Sequence, residues 1–141
     1  MTVERTIWIA APRERVWQAI TDAGQIQQWW DDYWEIPALE VGGAVKFGTE
    51  DDPMLATIAA VDPPREFAIR WPPQPQYHSI AMFTRYVLEE ENGGTRVTVS
   101  ETGFEALPDD IRQQRLDSTA KGYTTVLANL KAYLEGRELP Y

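Results

Sequence analysis

DIRQQRLDSTAKGYTTVLANLKAYLEG, residues 110–136, decides how the rest of the chain can fold. Leu116, Ala120, Tyr123, Leu127, Leu130 and Leu134 recur at alternating spacings of four and three. At 100° per residue they form a stripe roughly 80° wide, the mark of a helix with one buried face. Val126 and Tyr133 widen the stripe on one side, while Asp117, Lys121, Thr125, Ala128, Lys131 and Glu135 lie off it. Gly136 is placed to end the helix in the left-handed conformation, and Pro140 prevents its resumption. A helix this long needs a partner for its stripe. The upstream sequence offers short strands, so the partner is a sheet.

Working outward, residues 96–102 read as the last strand, with Val97 and Val99 on one face. Asn92-Gly93-Gly94 before it is a strong hairpin signal, and residues 79–89 form the strand that enters it. Phe67, Ile69 and Trp71 alternate with Ala68 and Arg70 in a further strand. Asp62-Pro63-Pro64-Arg65 turns into it from a strand over residues 55–61. Residues 44–48 and 35–41 read as two more strands joined at Gly42-Gly43. Residues 3–9 form the first strand, with Ile7 and Ile9 inward. Ala11-Pro12 then opens a short helix whose apolar face is Val16, Trp17 and Ile20. Asp22 caps a second one. Ile26, Trp29, Trp30, Tyr33 and Trp34 fall on one helical face there, with fraying before Trp34. The expectation is one α+β domain over residues 1–141: a strand, two short helices, about six antiparallel strands and a long helix.

Composition narrows the task. The chain has 141 residues and a formal net charge of −9, which opposes binding to nucleic acid or to an anionic membrane. It has no cysteine, which excludes disulfides and thiolate metal sites. No signal peptide or apolar span is visible, so a cytoplasmic protein without membrane insertion is expected.

The order of these elements and their punctuation resemble the helix-grip superfamily of START domains, the birch-pollen allergen and polyketide cyclases. The nearest likeness is to the family named for the activator of Hsp90 ATPase. The residues that carry it run almost end to end. They are Ala11-Pro12 with Val16-Trp17, Trp29-Trp30, Val41-Gly42-Gly43, Asp62-Pro63-Pro64, Trp71, Gly94-Thr95-Arg96-Val97 and Thr102-Gly103-Phe104. Each motif alone is weak; their order and spacing together are specific. One departure is Gly122-Tyr123, where members of the family often carry Gly-Trp. The resemblance implies a curved antiparallel sheet of six to seven strands wrapped around the C-terminal helix. It also implies a cavity between them for an apolar small molecule. Trp30, Trp34, Phe47, Trp71, Met82, Tyr86, Tyr123 and Leu127 are the residues expected to line that cavity. Plain core packing is the competing reading for each.

The remaining candidates carry less. Arg70, Arg85, Thr84 and Glu101 lie on strands; on the inner face they could fix a ligand's polar end, but a solvated outer face is the simpler expectation. His78 is the only histidine and has no legible orienting partner, so no catalytic residue is assigned. Glu50-Asp51-Asp52 and Glu89-Glu90-Glu91 lack the spacing of a calcium loop, and no metal or cofactor is expected. Ser79, Ser100 and Ser118 lie in no nucleophile motif. Pro72-Pro73-Gln74-Pro75 matches P-x-x-P, but a rim loop of the cavity accounts for it. Gly122 costs about 1 kcal/mol against alanine in a helix, and either close approach of a ligand or simple tolerance explains it.

The functional expectation is non-catalytic binding of a small, largely apolar or amphipathic molecule. Two alternatives follow from the resemblance: a co-chaperone that stimulates an Hsp90-type ATPase, and a cyclase-like enzyme on the same fold. The eukaryotic namesake of the family has an additional N-terminal domain that engages the chaperone. These 141 residues leave no room for it, which weighs against the co-chaperone reading.

Overall fold

A computed structural model describes residues 1–73 and 80–141. Strand β1 (Val3–Ile9) leads into helices α1 (Arg13–Thr21) and α2 (Ala23–Trp29). Strands β2 (Tyr33–Glu35), β3 (Ala44–Gly48), β4 (Met54–Asp62), β5 (Glu66–Trp71), β6 (Met82–Glu91) and β7 (Gly94–Thr102) follow. Helix α3 (Asp109–Leu134) closes the chain. The seven strands form one antiparallel sheet in the order β1-β7-β6-β5-β4-β3-β2. It curls around α3, the helix-grip arrangement. A register shift between Ile58 and Ala60 of β4 supplies one bend, because an extra residue on one strand tightens its twist.

Local chemistry explains most element ends. Asn92 and Gly93 both have positive φ, 49° and 77°, and form the two-residue turn between β6 and β7. Both central residues of that turn type must be left-handed, which is why Asn-Gly occupies it. At α2, the Asp22 carboxylate accepts the N–H groups of Gly24 and Gln25. Gly136, at φ 72°, ends α3. Its N–H bonds to the carbonyl of Tyr133, and the N–H of Arg137 bonds to that of Ala132, so the last carbonyls of the helix are satisfied.

Three expectations need correction. Tyr33 and Trp34 are not helical: α2 stops at Trp29 and Trp30 is extended. Their helical spacing loses to pairing with β3, where Trp34 faces Phe47. Aromatic side chains fit a pleated surface well, so local periodicity was a weak guide here. The strand expected over residues 35–41 reduces to Glu35. Gly42-Gly43 belongs to a longer loop, held to β4 by reciprocal hydrogen bonds with Ile58. The strand expected from residue 79 begins at Met82.

The inner face of the sheet follows period two. Phe67, Ile69, Met82, Thr84, Tyr86, Leu88, Val97 and Val99 are all buried on it. Arg70 and Arg85 point outward as expected, and Arg85 pairs across strands with Glu66 at 2.6 Å. Glu101 and Thr84 depart from the outward expectation. They continue the inward series of Val97–Val99 and of Met82–Tyr86.

Candidate ligand cavity

The inward residues at one end of the sheet are large. Trp34 on β2 faces Phe47 on β3, Phe47 faces Met54 on β4, and Trp71 on β5 faces Met82 on β6. Directly opposed residues share a face of the sheet, so these side chains make one continuous row. Trp30, leaving α2, closes the row. Its ring centroid lies 5.1 Å from that of Trp34 and 5.8 Å from that of Phe47, both in edge-to-face geometry. Phe47 and Trp71 stand 5.6 Å apart in the same manner. Such contacts favour tilted rings over stacked ones and make the cluster rigid.

Opposite this row, the N-terminal half of α3 stands off the sheet. The space between is an open cavity of about 490 Å³. Of the eight residues singled out from the sequence, Trp30, Trp34, Phe47, Trp71, Met82 and Tyr123 border it. Tyr86 and Leu127 do not border it and are buried in the core behind. Both face inward, but deeper along the sheet and the helix than the cavity reaches. Pro72 also borders the cavity, and Pro73 does not. Gln74, Pro75, His78 and Ser79 lie outside the described residues.

Several lining residues were missed. On α3 they are Arg115, Thr119, Gly122, Thr125 and Val126. All but Thr125 sit one position before a member of the apolar stripe, at the same alternation of four and three. The helix therefore carries two parallel stripes about 100° apart, an apolar one and a mixed one. Gly122 is helical, and a Cβ added there would meet no atom within 4 Å, so the helix surface is open to the cavity at that point. Glu101 also borders the cavity: its charge favoured the solvated reading, but its parity with Val97 and Val99 turns it to the interior.

Glu101 organises the polar floor of the cavity. Its Oε1 accepts the Thr84 hydroxyl at 2.8 Å and the Tyr123 hydroxyl at 2.7 Å. Thr84 in turn accepts the Trp71 indole N–H at 3.0 Å. Three strands and the helix are thus tied at one carboxylate. Burial, and next the Glu101 charge, hold the Tyr123 phenol well above its ordinary titration range, so it remains a donor. The same two causes raise the buried Tyr86 phenol just beneath. At the rim, Trp30 Nε1 donates to Asp32 at 2.9 Å. Trp34 Nε1 is buried without a hydrogen-bond partner among the described residues. No group of three or more His, Asp or Glu side chains converges as a metal site would, among the described residues. No helix among them is long and apolar enough to cross a membrane.

Residues 10–135 match the sequence profile of the "Activator of Hsp90 ATPase homolog 1-like protein" family. The chain belongs to that family. The match covers the two short helices, the sheet from β2 to β7 and all of α3, which are the elements that build the cavity. No match occurs among curated protein sequences. Solved structures extend the likeness in fold. MLL2253 from Mesorhizobium loti superposes with a TM-score of 0.80 at 19% identity, over 99% of this chain and 100% of that one. CalU16 from Micromonospora echinospora gives 0.74 at 22% identity, over 94% of this chain and 75% of that one. A protein described as the Aha1 dimer from Colwellia psychrerythraea gives 0.72 at 18% identity, over 96% of both chains. At these identities the three solved structures share a fold with this chain, and a fold of this kind hosts more than one task.

Proposed function

We propose that this AHSA1-like chain binds a small, largely apolar molecule in the cavity between the sheet and α3, with Trp30, Trp34, Phe47, Trp71, Met82 and Tyr123 in contact with it. The observation that supports this most is the cavity itself. At about 490 Å³ and walled by rings, it falls within the roughly 300–1,000 Å³ typical of small-molecule sites. A chain under selection for stability alone would fill that space, since unfilled volume in a core is destabilising.

Trp30, Trp34 and Trp71 supply the readout. Titration with an apolar aromatic probe such as naphthalene is expected to change tryptophan fluorescence saturably. It is also expected to raise the unfolding free energy by about 2.7 kcal/mol at a hundredfold excess over the dissociation constant. Trp34→Ala, which removes one wall, is expected to weaken that effect at least severalfold. A screen of apolar probes that produced neither saturable quenching nor thermal stabilisation would end this reading.

Family membership favours a second reading, as a co-chaperone of an Hsp90-type ATPase. ATPase assays of the host's own chaperone with stoichiometric protein distinguish the two. No stimulation is expected. Several-fold stimulation, lost on changing exposed residues and retained on changing Trp34, would reverse the order.

A further inference from the structure

We infer that the molecule bound in this cavity carries a hydrogen-bond donor, a hydroxyl or an amine, on the end of its apolar body that reaches Glu101, and that this end is not a carboxylate. This rests on the cavity being a binding site and goes on to its chemistry. The argument is an inventory of what the floor can still offer. Thr84 has one O–H, and it is spent on Glu101 Oε1 at 2.8 Å. Tyr123 has one O–H, spent on the same oxygen at 2.7 Å. The indole N–H of Trp71 is spent on Thr84 at 3.0 Å. Thr84 and Tyr123 also approach each other at 3.3 Å, but neither has a second proton to give.

Trp71, Thr84 and Tyr123 therefore have no donor left for a ligand, while Thr119 and Arg115, one and two turns earlier on α3, border the cavity outside this floor. What remains is acceptor capacity. Glu101 Oε2 takes no hydrogen bond among the described residues, and Glu101 makes no ion pair with any of them. Trp34 Nε1 is without a partner, but it has no accessible surface and so presents no donor to the cavity. Arg115 also borders the cavity, eight residues before Tyr123 on α3. That spacing puts their backbone positions about 12 Å apart along the helix. A ligand acceptor placed at the floor would face carboxylate oxygen with no donor to meet it, and a ligand carboxylate would add like-charge repulsion. A ligand O–H or N–H would meet the open acceptor sites of Oε2.

Calorimetric titration at neutral pH with three probes of one shape tests this: 2-naphthol, 2-methoxynaphthalene and 2-naphthoate. The wild-type protein is expected to bind 2-naphthol about tenfold more tightly than 2-methoxynaphthalene, the worth of one hydrogen bond to a charged acceptor. It is expected to bind 2-naphthoate most weakly. Glu101→Gln keeps an acceptor for Thr84 and Tyr123 and turns an amide donor toward the ligand, so the tenfold preference should vanish or invert. Equal or tighter binding of 2-methoxynaphthalene or 2-naphthoate by the wild type would overturn the inference and leave the cavity reading intact. An unchanged preference in Glu101→Gln would do the same. If none of the three probes binds, both fall together. The wild-type ranking decides the case alone if the variant does not fold.

Discussion

The two halves of α3 belong to one continuous helix and carry one continuous apolar stripe, yet they meet opposite surroundings. From Tyr123 onward the stripe is packed: Leu127, Leu130 and Leu134 are 2%, 0% and 4% exposed. Before it, Leu116 and Ala120 are only half-buried. The polar contacts divide the same way. The later half is latched on several sides. Lys131 Nζ reaches the carbonyl of Trp8, and Glu135 accepts the N–H of Ala10 at 2.9 Å. Asn129 donates to the carbonyl of Trp29 and accepts the N–H of Tyr141. The earlier half is anchored at its first turn, where Arg112 donates to the carbonyls of Phe104 and Leu107. From Arg115 to Val126 one side of the helix forms a wall of the cavity. The same pattern of residues therefore makes a core where the sheet closes on the helix and a wall where it curls away. Stability is concentrated at one end of the molecule and open volume at the other.

Replacements along the stripe are the strongest way to break this contrast. Leu130→Ala is expected to cost about 2–5 kcal/mol, because the site is fully enclosed and cannot collapse freely. Leu116→Ala, half-buried beside the cavity, is expected to cost about 1 kcal/mol. Urea denaturation of the two variants measures both, and equal losses would mean that the helix is packed uniformly.

Asn129→Ala comes next. It leaves the carbonyl of Trp29 and the N–H of Tyr141 without their partner, and a loss of about 1–3 kcal/mol is expected. Because the change lies away from the cavity, probe affinity should hold while stability falls. A parallel loss of affinity would show that the two ends are coupled.

Acid sharpens the comparison further. The Glu135 carboxyl titrates at about 2, down from 4.5, chiefly through the N–H of Ala10, with Lys131 and Arg137 adding to it. A depressed value in the folded state means stability that is fully present above pH 4.5 and lost as the pH falls toward about 2. Glu135→Gln is expected to be less stable at neutral pH and to lose less on acidification through that window. Thermal melts across the window check it; parallel pH curves for the two proteins would remove Glu135 from the account.

The smallest effect has the opposite sign. Gly122→Ala adds a methyl group at an exposed helical position with no atom within 4 Å, so it should stabilise the fold by about 0.5–1 kcal/mol. The same methyl group projects toward the cavity and should disfavour the bulkiest probes. Destabilisation would mean that the helix backbone is closer to the sheet than the geometry here requires.

Much of this was legible in the residues. The stripe from Leu116 to Leu134, the Asp22 cap, the Asn92-Gly93 turn and the Gly136 stop are short-range patterns. Each depends on neighbours within about one turn of helix or one hairpin, so the chain itself carries the information. Six of the eight residues expected at the cavity border it for a related reason: large aromatics on inward positions have few other places to go. Tertiary structure decided the rest. Trp34 carried a helical spacing, but a ladder partner on β3, more than ten residues away in sequence, made it a strand residue. Glu101 carried a charge that argued for solvent, but the parity of β7 turned it inward, where hydroxyls from β6 and α3 receive it. Above all, nothing in the stripe marks the point where the sheet leaves the helix. That point is set by the accumulated twist of seven paired strands and the bend at Ile58–Ala60, a property of the whole sheet and of no single stretch.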